Sequence, residues 1–161
     1  MKLNDPKVGT YAAVRVLEPT NKKLSEFLKF HGIPTTLNSK EHRRHVTLLY
    51  SRTHLPDYVA EPDFMHYASF QGYELFDTKP GKADSTKCLV MKLNAPTLSA
   101  RHEQLMREHP ATYDFPTYKP HITLSYKIPY NFDVGILPPF NEVVLLGAEY
   151  GEDLDLDWEN K

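Results

Sequence analysis

Runs rich in β-branched and aromatic residues recur along the chain and predict strands: "TYAAVRV" at 10–16, "HVTLLY" at 45–50, "YASFQGYELF" at 67–76, "KCLVMKL" at 87–93, "HITLSY" at 121–126 and "EVVLLGAEY" at 142–150. Two stretches carry helical spacing instead. In the first, Leu24, Phe27 and Leu28 follow Thr20, a candidate cap, and Gly32 with Pro34 ends the run. In the second, from about Pro96 to Glu108, Pro suits the first turn, Leu98, Leu105 and Met106 form an apolar stripe, and Pro110 closes the segment. The segment "TKPGKADST" at 78–86 is a turn-rich connection, and "KIPYNFDVGILPPF" is loop or sheet edge.

Strand, helix, loop and strand thus occur twice in the same order. The leading strands begin at 10 and 87, and the hexapeptides that close each unit begin at His45 and His121. The expectation is one domain over 1–161 with pseudo-repeat halves at about 10–77 and 87–150. Its architecture is α+β, with two pseudo-symmetric lobes.

Composition narrows the picture. A chain of 161 residues with 25% charged and 40% hydrophobic residues buries a core without staples, so wholesale disorder is excluded. The single Cys88 rules out an intramolecular disulfide and, inside "CLVM", reads as a buried small hydrophobe. "MKLNDPKVGT" lacks the apolar stretch of a signal peptide and nowhere do 18 apolar residues run together, so a soluble, intracellular protein without a membrane partner is expected. A formal charge of −2 argues against a long nucleic-acid duplex as partner. A small phosphorylated ligand needs only a local positive region.

The two hexapeptides carry the chemistry. Along a regular strand, His45, Thr47 and Leu49 share one face and Val46, Leu48 and Tyr50 the other, and His121, Thr123 and Ser125 oppose Ile122, Leu124 and Tyr126 in the same way. Each strand therefore sets an imidazole beside a hydroxyl. Metal-free cleavage of a ribonucleotide phosphodiester needs one base at the nucleophile and one acid at the leaving oxygen, and two imidazoles divide those roles. Two threonine hydroxyls donate to the non-bridging phosphate oxygens. Leu49 against Ser125 suggests that the two sides of the phosphate are chemically unequal. A metal centre is the rival, because His42 and His45 form an H-x-x-H, but zinc sites recruit closed sets of Cys, His or carboxylates and Thr is a poor ligand. Cys88 as a nucleophile conflicts with its apolar strand context. No metal and no cofactor is expected.

At "HVTL" and "HITL" the sequence resembles the two-histidine (2H) phosphoesterase superfamily, whose members carry two His-x-Thr/Ser motifs on the two lobes of one domain. Within it, the small size, the Tyr of the first strand and the acidic, Trp-bearing "EYGEDLDLDWENK" look most like the phage anti-CBASS nuclease family. The resemblance implies a two-lobed fold of mainly antiparallel sheets with a central cleft and flanking helices. It implies a catalytic tetrad of His45, Thr47, His121 and Thr123, and ligand contact from Tyr11. Glu152 and Trp158 would recognise an adenine base, with Glu149 or Asp153 as alternatives for the carboxylate.

The implied activity is hydrolysis of 3′–5′ bonds in cyclic di- and trinucleotides containing adenine, such as 3′,3′-cGAMP and cyclic tri-AMP, in the cytoplasm of an infected bacterial host. That would counteract CBASS defence, with no obligate protein partner evident. Two alternatives stand beside it: a 2H enzyme acting on RNA 2′,3′-cyclic phosphate ends, and a sponge that binds cyclic nucleotides without cleaving them.

The residues themselves leave other readings open. Trp158 suits base stacking, or the C-terminus is a solvated acidic tail; Tyr11 is a ligand contact or a half-buried strand aromatic. Tyr118 and Lys119 border the cleft, with Lys119 offsetting ligand charge, or are ordinary loop residues. His42, Arg43 and Arg44 read as a solvated charge run that also supplies positive potential.

Overall fold

The computed structural model describes residues 8–34, 44–77 and 86–156. Trp158, His42 and Arg43 lie outside them, as does 78–85. Six strands and two helices follow in the order β1 (Val8–Val16), α1 (Glu18–Phe30), β2 (His45–Ser51), β3 (His66–Asp77), β4 (Thr86–Asn94), α2 (Pro96–Glu108), β5 (His121–Pro129) and β6 (Val144–Asp155), with a short 3₁₀ turn at Val134–Ile136. All strand pairings are antiparallel, and the strand order is β2-β1-β6-β3-β4-β5. Only His66 to Ala68 of β3 pair with β6, so a short seam joins two three-stranded groups. Although β2 and β5 stand at opposite ends of this order, they approach one another, so the sheet curls. The fold is therefore α+β, and no helix among the described residues is long and apolar enough to cross a membrane.

One face of the curled sheet is packed and carries both helices. Ala12, Val14 and Val16 of β1, Val46, Leu48 and Leu49 of β2, Leu89, Met91 and Leu93 of β4, and Ile122 and Leu124 of β5 form a single core with Leu24 and Leu28 of α1 and Leu98 and Leu105 of α2. The apolar spacing that predicts the helices is the spacing that enters this core. Met106 packs against its margin.

The helix ends show where local signals hold and where they yield. At the C-terminus of α1 the Gly32 N–H donates to Lys29 O (3.1 Å) and the Ile33 N–H to Leu28 O (2.9 Å), a Schellman motif in which Gly32 takes φ 68°. Thr20, expected as the cap, lies inside the first turn. The helix starts at Glu18 after Leu17, and the Thr20 hydroxyl accepts from the Leu145 N–H (2.9 Å), tying α1 to β6. Pro96 opens α2 as expected.

Three further expectations change. Arg44 is not part of a solvated run: it is buried, and its guanidinium donates to Asn21 and Ser25 of α1. The acidic stretch after Tyr150 is not all tail, because β6 continues to Asp155 and pairs with β1 as far as Val8. Cys88 is half-buried rather than buried, and its burial pushes the thiol pKa up.

Candidate active site

Both motif strands break the alternation in the same place. In β2, Ala13 faces Thr47 and Ala12 faces Leu49, which leaves Leu48 as the extra residue of a β-bulge; in β5, Val90 faces Thr123 and Leu89 faces Ser125, which leaves Leu124 as the extra residue. Each bulge follows the motif Thr and turns two successive side chains inward. Leu48, Leu49, Leu124 and Ser125 are all fully buried. Leu49 and Ser125 consequently do not share the face of the motif His and Thr side chains, and the asymmetry drawn from them does not hold. The bulge also carries Tyr50 across to the His45 face, where it pairs with Tyr11 at a ring separation of 6.3 Å.

The registers define the face away from the helices. Facing residues on antiparallel neighbours lie on the same side of the sheet. In the first group three rows result: Tyr50, Tyr11 and Glu152; Thr47, Ala13 and Tyr150; His45, Arg15 and Gly147. In the second group the rows are His121, Lys92 and Gly72, then Thr123, Val90 and Glu74, with Cys88 beside Phe76 beyond them. Ala13 and Val90 are buried yet sit outside the core cluster, as expected of floor residues beneath the two threonines. His45, Thr47, His121 and Thr123 are half-buried. A cation faces each histidine in register, Arg15 opposite His45 and Lys92 opposite His121.

Hydrogen bonds fix the motif on the His45 side. The Tyr11 hydroxyl bonds to Thr47 Oγ1 (2.9 Å), and its ring meets His45 edge-on at 6.4 Å. The Tyr118 hydroxyl donates to Thr47 O (2.6 Å), and His102 Nδ1 donates to Leu48 O (2.8 Å). Those two carbonyls belong to the bulge, and both donors come from the chain segment that precedes His121. The His102 and Tyr118 rings stack at 4.2 Å and 10°. Burial holds the His102 imidazole below its ordinary pKa and raises that of the Tyr118 phenol, so both groups remain neutral donors near pH 7.

On the other side His121 Nδ1 lies 2.9 Å from Lys119 O. A carbonyl oxygen only accepts, so Nδ1 carries the proton and Nε2 is the basic nitrogen of the neutral ring. The His121 ring meets Phe76 edge-on at 5.7 Å. Lys119 itself is exposed.

Of the residues expected from the sequence, the structure groups Tyr11, His45, Thr47 and Glu152 on adjacent strands, and His121 with Thr123 on β5. Tyr118 and Lys119 directly precede β5. Glu149 does not belong with them. Its carboxylate is buried on Arg101, accepting at 3.0 and 2.9 Å, and also accepts from Tyr58 (2.6 Å) and the Glu61 N–H (3.1 Å). Burial raises its pKa, but the Arg101 and Tyr58 donors outweigh that and hold it below the ordinary carboxylate value. A register shift on β6, with Ala148 at φ 51°, accounts for the inward turn of Glu149. Among the described residues no three His, Cys, Asp or Glu side chains converge as a metal-binding group.

Sequence reasoning missed Arg15, Lys92, Tyr50 and Phe76, because their places depend on which strands become neighbours. It also missed His102, whose partner is a main-chain carbonyl 54 positions away.

The fold and site define a class: an α+β protein organised around paired His-x-Thr strands. A sequence profile of the Anti-CBASS protein Acb1 family matches residues 8–161. Proteins named Anti-CBASS protein Acb1 from Acinetobacter phage Ac42, Vibrio phage KVP40 and Enterobacteria phage T4 are 36%, 34% and 34% identical to the chain. The matches cover 99%, 93% and 98% of the chain and 99%, 90% and 96% of those relatives. The chain belongs to the Acb1 family.

Proposed function

We propose that the protein is a metal-independent phosphodiesterase of the 2H type that opens the 3′–5′ bonds of cyclic di- and trinucleotides containing adenine, and thereby counteracts CBASS defence in the cytoplasm of the host. The observation that carries this reading is the matched pair of motif strands. Both have the same bulge, both turn His and Thr away from the core, and each His has a cation opposite it. The family name and the phage relatives support the anti-CBASS role.

In this mechanism the scissile phosphate sits between the two His-Thr pairs. One imidazole takes the proton from the ribose 2′-hydroxyl, and the 2′-oxygen attacks phosphorus as the bond to the 5′-oxygen breaks. The second imidazole gives its proton to that departing oxygen. The product is a 2′,3′-cyclic phosphate end, which water opens with the two imidazoles in exchanged roles. Thr47 and Thr123 donate to the non-bridging oxygens, where charge builds up; Arg15 adds positive charge opposite His45, while Lys92, opposite His121, is partly offset by the Glu74 carboxylate 3.7 Å away. Tyr11 orients the Thr47 hydroxyl. Glu152, in the Tyr11 row, accepts from the amino group of an adenine, and Trp158 is assigned to stacking on that base.

The test is incubation of the protein with 3′,3′-cGAMP and cyclic tri-AMP in excess EDTA, with products read by mass spectrometry. Ring opening is expected. Intact substrate overturns metal-free cleavage, and turnover confined to RNA 2′,3′-cyclic phosphate ends moves the assignment to end processing. Ligand depletion that survives His45→Ala and His121→Ala supports a sponge.

A further inference from the structure

The registers allow the surroundings of the two motif histidines to be compared position by position. His45 faces Arg15, which faces Gly147, and in the next row Thr47 faces Ala13, which faces Tyr150. His121 faces Lys92, which faces Gly72, and in the next row Thr123 faces Val90, which faces Glu74. The cation and the glycine therefore recur. What differs is the residue beside the cation, an aromatic ring on one side and a carboxylate on the other.

Each cation meets that neighbour. The Arg15 guanidinium lies 4.4 Å from the centre of the Tyr150 ring, and Lys92 Nζ lies 3.7 Å from the Glu74 carboxylate. A neutral ring attracts a cation without cancelling its charge, whereas a carboxylate offsets it. No carboxylate among the described residues pairs with Arg15. The two cations also differ in what they offer an anion. A guanidinium presents a planar fork of donors that matches two phosphate oxygens, and the ring beneath it limits where the fork points; an ammonium is a mobile point charge. Arg15 is half-buried on the face of His45 and Thr47. The Lys92 and Glu74 side chains are 35% and 47% exposed, and so accessible a pair adds little to stability, which leaves its effect on the neighbouring site as its main consequence.

We propose that Arg15, propped on Tyr150, is the residue that grips the phosphate of the ligand, and that Glu74 silences Lys92, so that one side of a doubled site carries the anion-binding charge. The inference rests on the cyclic-nucleotide reading above for the chemical class of the ligand. The Arg15 fork donates to the non-bridging oxygens from the row beside Thr47. Glu152 stands on the same group of strands, so base and phosphate are held from one side. With Lys92 neutralised, the His121 side does not compete for the same phosphate.

The experiment measures binding of 3′,3′-cGAMP by calorimetry in the His121→Ala protein, in which turnover is too slow to consume the ligand. Adding Arg15→Gln is expected to raise Kd by roughly 10- to 150-fold, the range for hydrogen bonds to a charged group, and to flatten the salt dependence of Kd. Tyr150→Leu should raise Kd by a smaller factor, Tyr150→Phe should restore it, and Tyr150→Leu should add nothing in an Arg15→Gln background. Glu74→Gln should lower Kd by roughly 2- to 5-fold, because it frees Lys92 from a pair of ordinary surface strength. Lys92→Met should cancel that gain. Misfolding does not tighten binding, so the Glu74→Gln result reports the charge itself.

An unchanged Kd in Arg15→Gln, or a rise with undiminished salt dependence, overturns the phosphate grip. Unchanged or weaker binding in Glu74→Gln overturns the silencing of Lys92. Both results leave the proposed catalysis intact, because neither variant alters an imidazole. If the unaltered protein and its His121→Ala variant neither bind nor open 3′,3′-cGAMP, the cyclic-nucleotide reading falls and the inference with it.

Discussion

The two motif strands repeat a hexapeptide but are held in place by unlike means. On the His45 side, Thr47 is fixed from both ends, its hydroxyl by Tyr11 and its carbonyl by Tyr118, and the next carbonyl is taken by His102. On the His121 side, the local bond from the ring to Lys119 O orients the imidazole, and the place equivalent to Tyr11 is held by Cys88. A repeated sequence thus yields two sites with the same side chains and different surroundings. The lesson is that a repeated motif places the same imidazole and hydroxyl on two strands, whereas the neighbouring strands specify how each pair differs.

The strongest way to break the comparison is to remove either imidazole. His45→Ala and His121→Ala should each lower kcat by about 10²- to 10⁴-fold, the contribution of one general acid or base. The double variant should fall little further, because the two act as a unit. Rapid-quench single-turnover rates check this, and an additive double variant would show that the histidines work independently.

Next in size is the buried ion pair that ties α2 to β6. Arg101 of α2 and Glu149 of β6 form a buried pair at 2.9 Å, and Arg101 also meets Glu61 at 3.3 Å. Glu149→Gln should cost about 3 kcal/mol, toward the lower end for breaking a buried pair because Glu61 remains. Urea unfolding at pH 7 measures it.

The sign of the pH dependence follows from the same groups. The folded Glu149 pKa is depressed, so its stabilisation is complete above the ordinary carboxylate value of about 4.3 and is lost as pH falls through the lower folded value. His102 and His66 are also depressed by burial, so the unfolded chain takes up their protons first and stability begins to decline below about pH 6.5. Two stages of acid destabilisation are expected, and Glu149→Gln should weaken only the lower one, to which Asp114, held down by its hydrogen bond from Arg52, also contributes.

The smallest effect sharpens the difference between the sides. Tyr11→Phe removes one hydrogen bond to Thr47 Oγ1 and should reduce kcat/KM by roughly 2- to 10-fold, in keeping with about 0.5–1.5 kcal/mol for such a bond. In a Thr47→Val background the same change should have no further effect on the rate. In a Thr123→Val background it should retain its full effect. Steady-state kinetics on the unaltered protein, the three single variants and the two double variants give the coupling directly.

Much of this molecule is written locally. Helical spacing placed α2 at the bounds observed, and the β-branched runs marked all six strands, because both signals report which side chains meet a core within one element. The His-x-Thr pairs were legible for the same reason: period-2 alternation holds up to the threonine. It fails one residue later, since a bulge is a property of two paired strands and not of one.

The sequence by itself determined the elements, the α+β class and the four side chains of the candidate tetrad. Tertiary structure alone decided that Arg15 and Lys92 face the histidines, that Tyr50 crosses to the His45 face, that Glu149 is withdrawn into an ion pair, and that Phe76 lines a cavity beside His121. Each of these depends on strand order and register, and register is set by contacts between residues far apart in the chain.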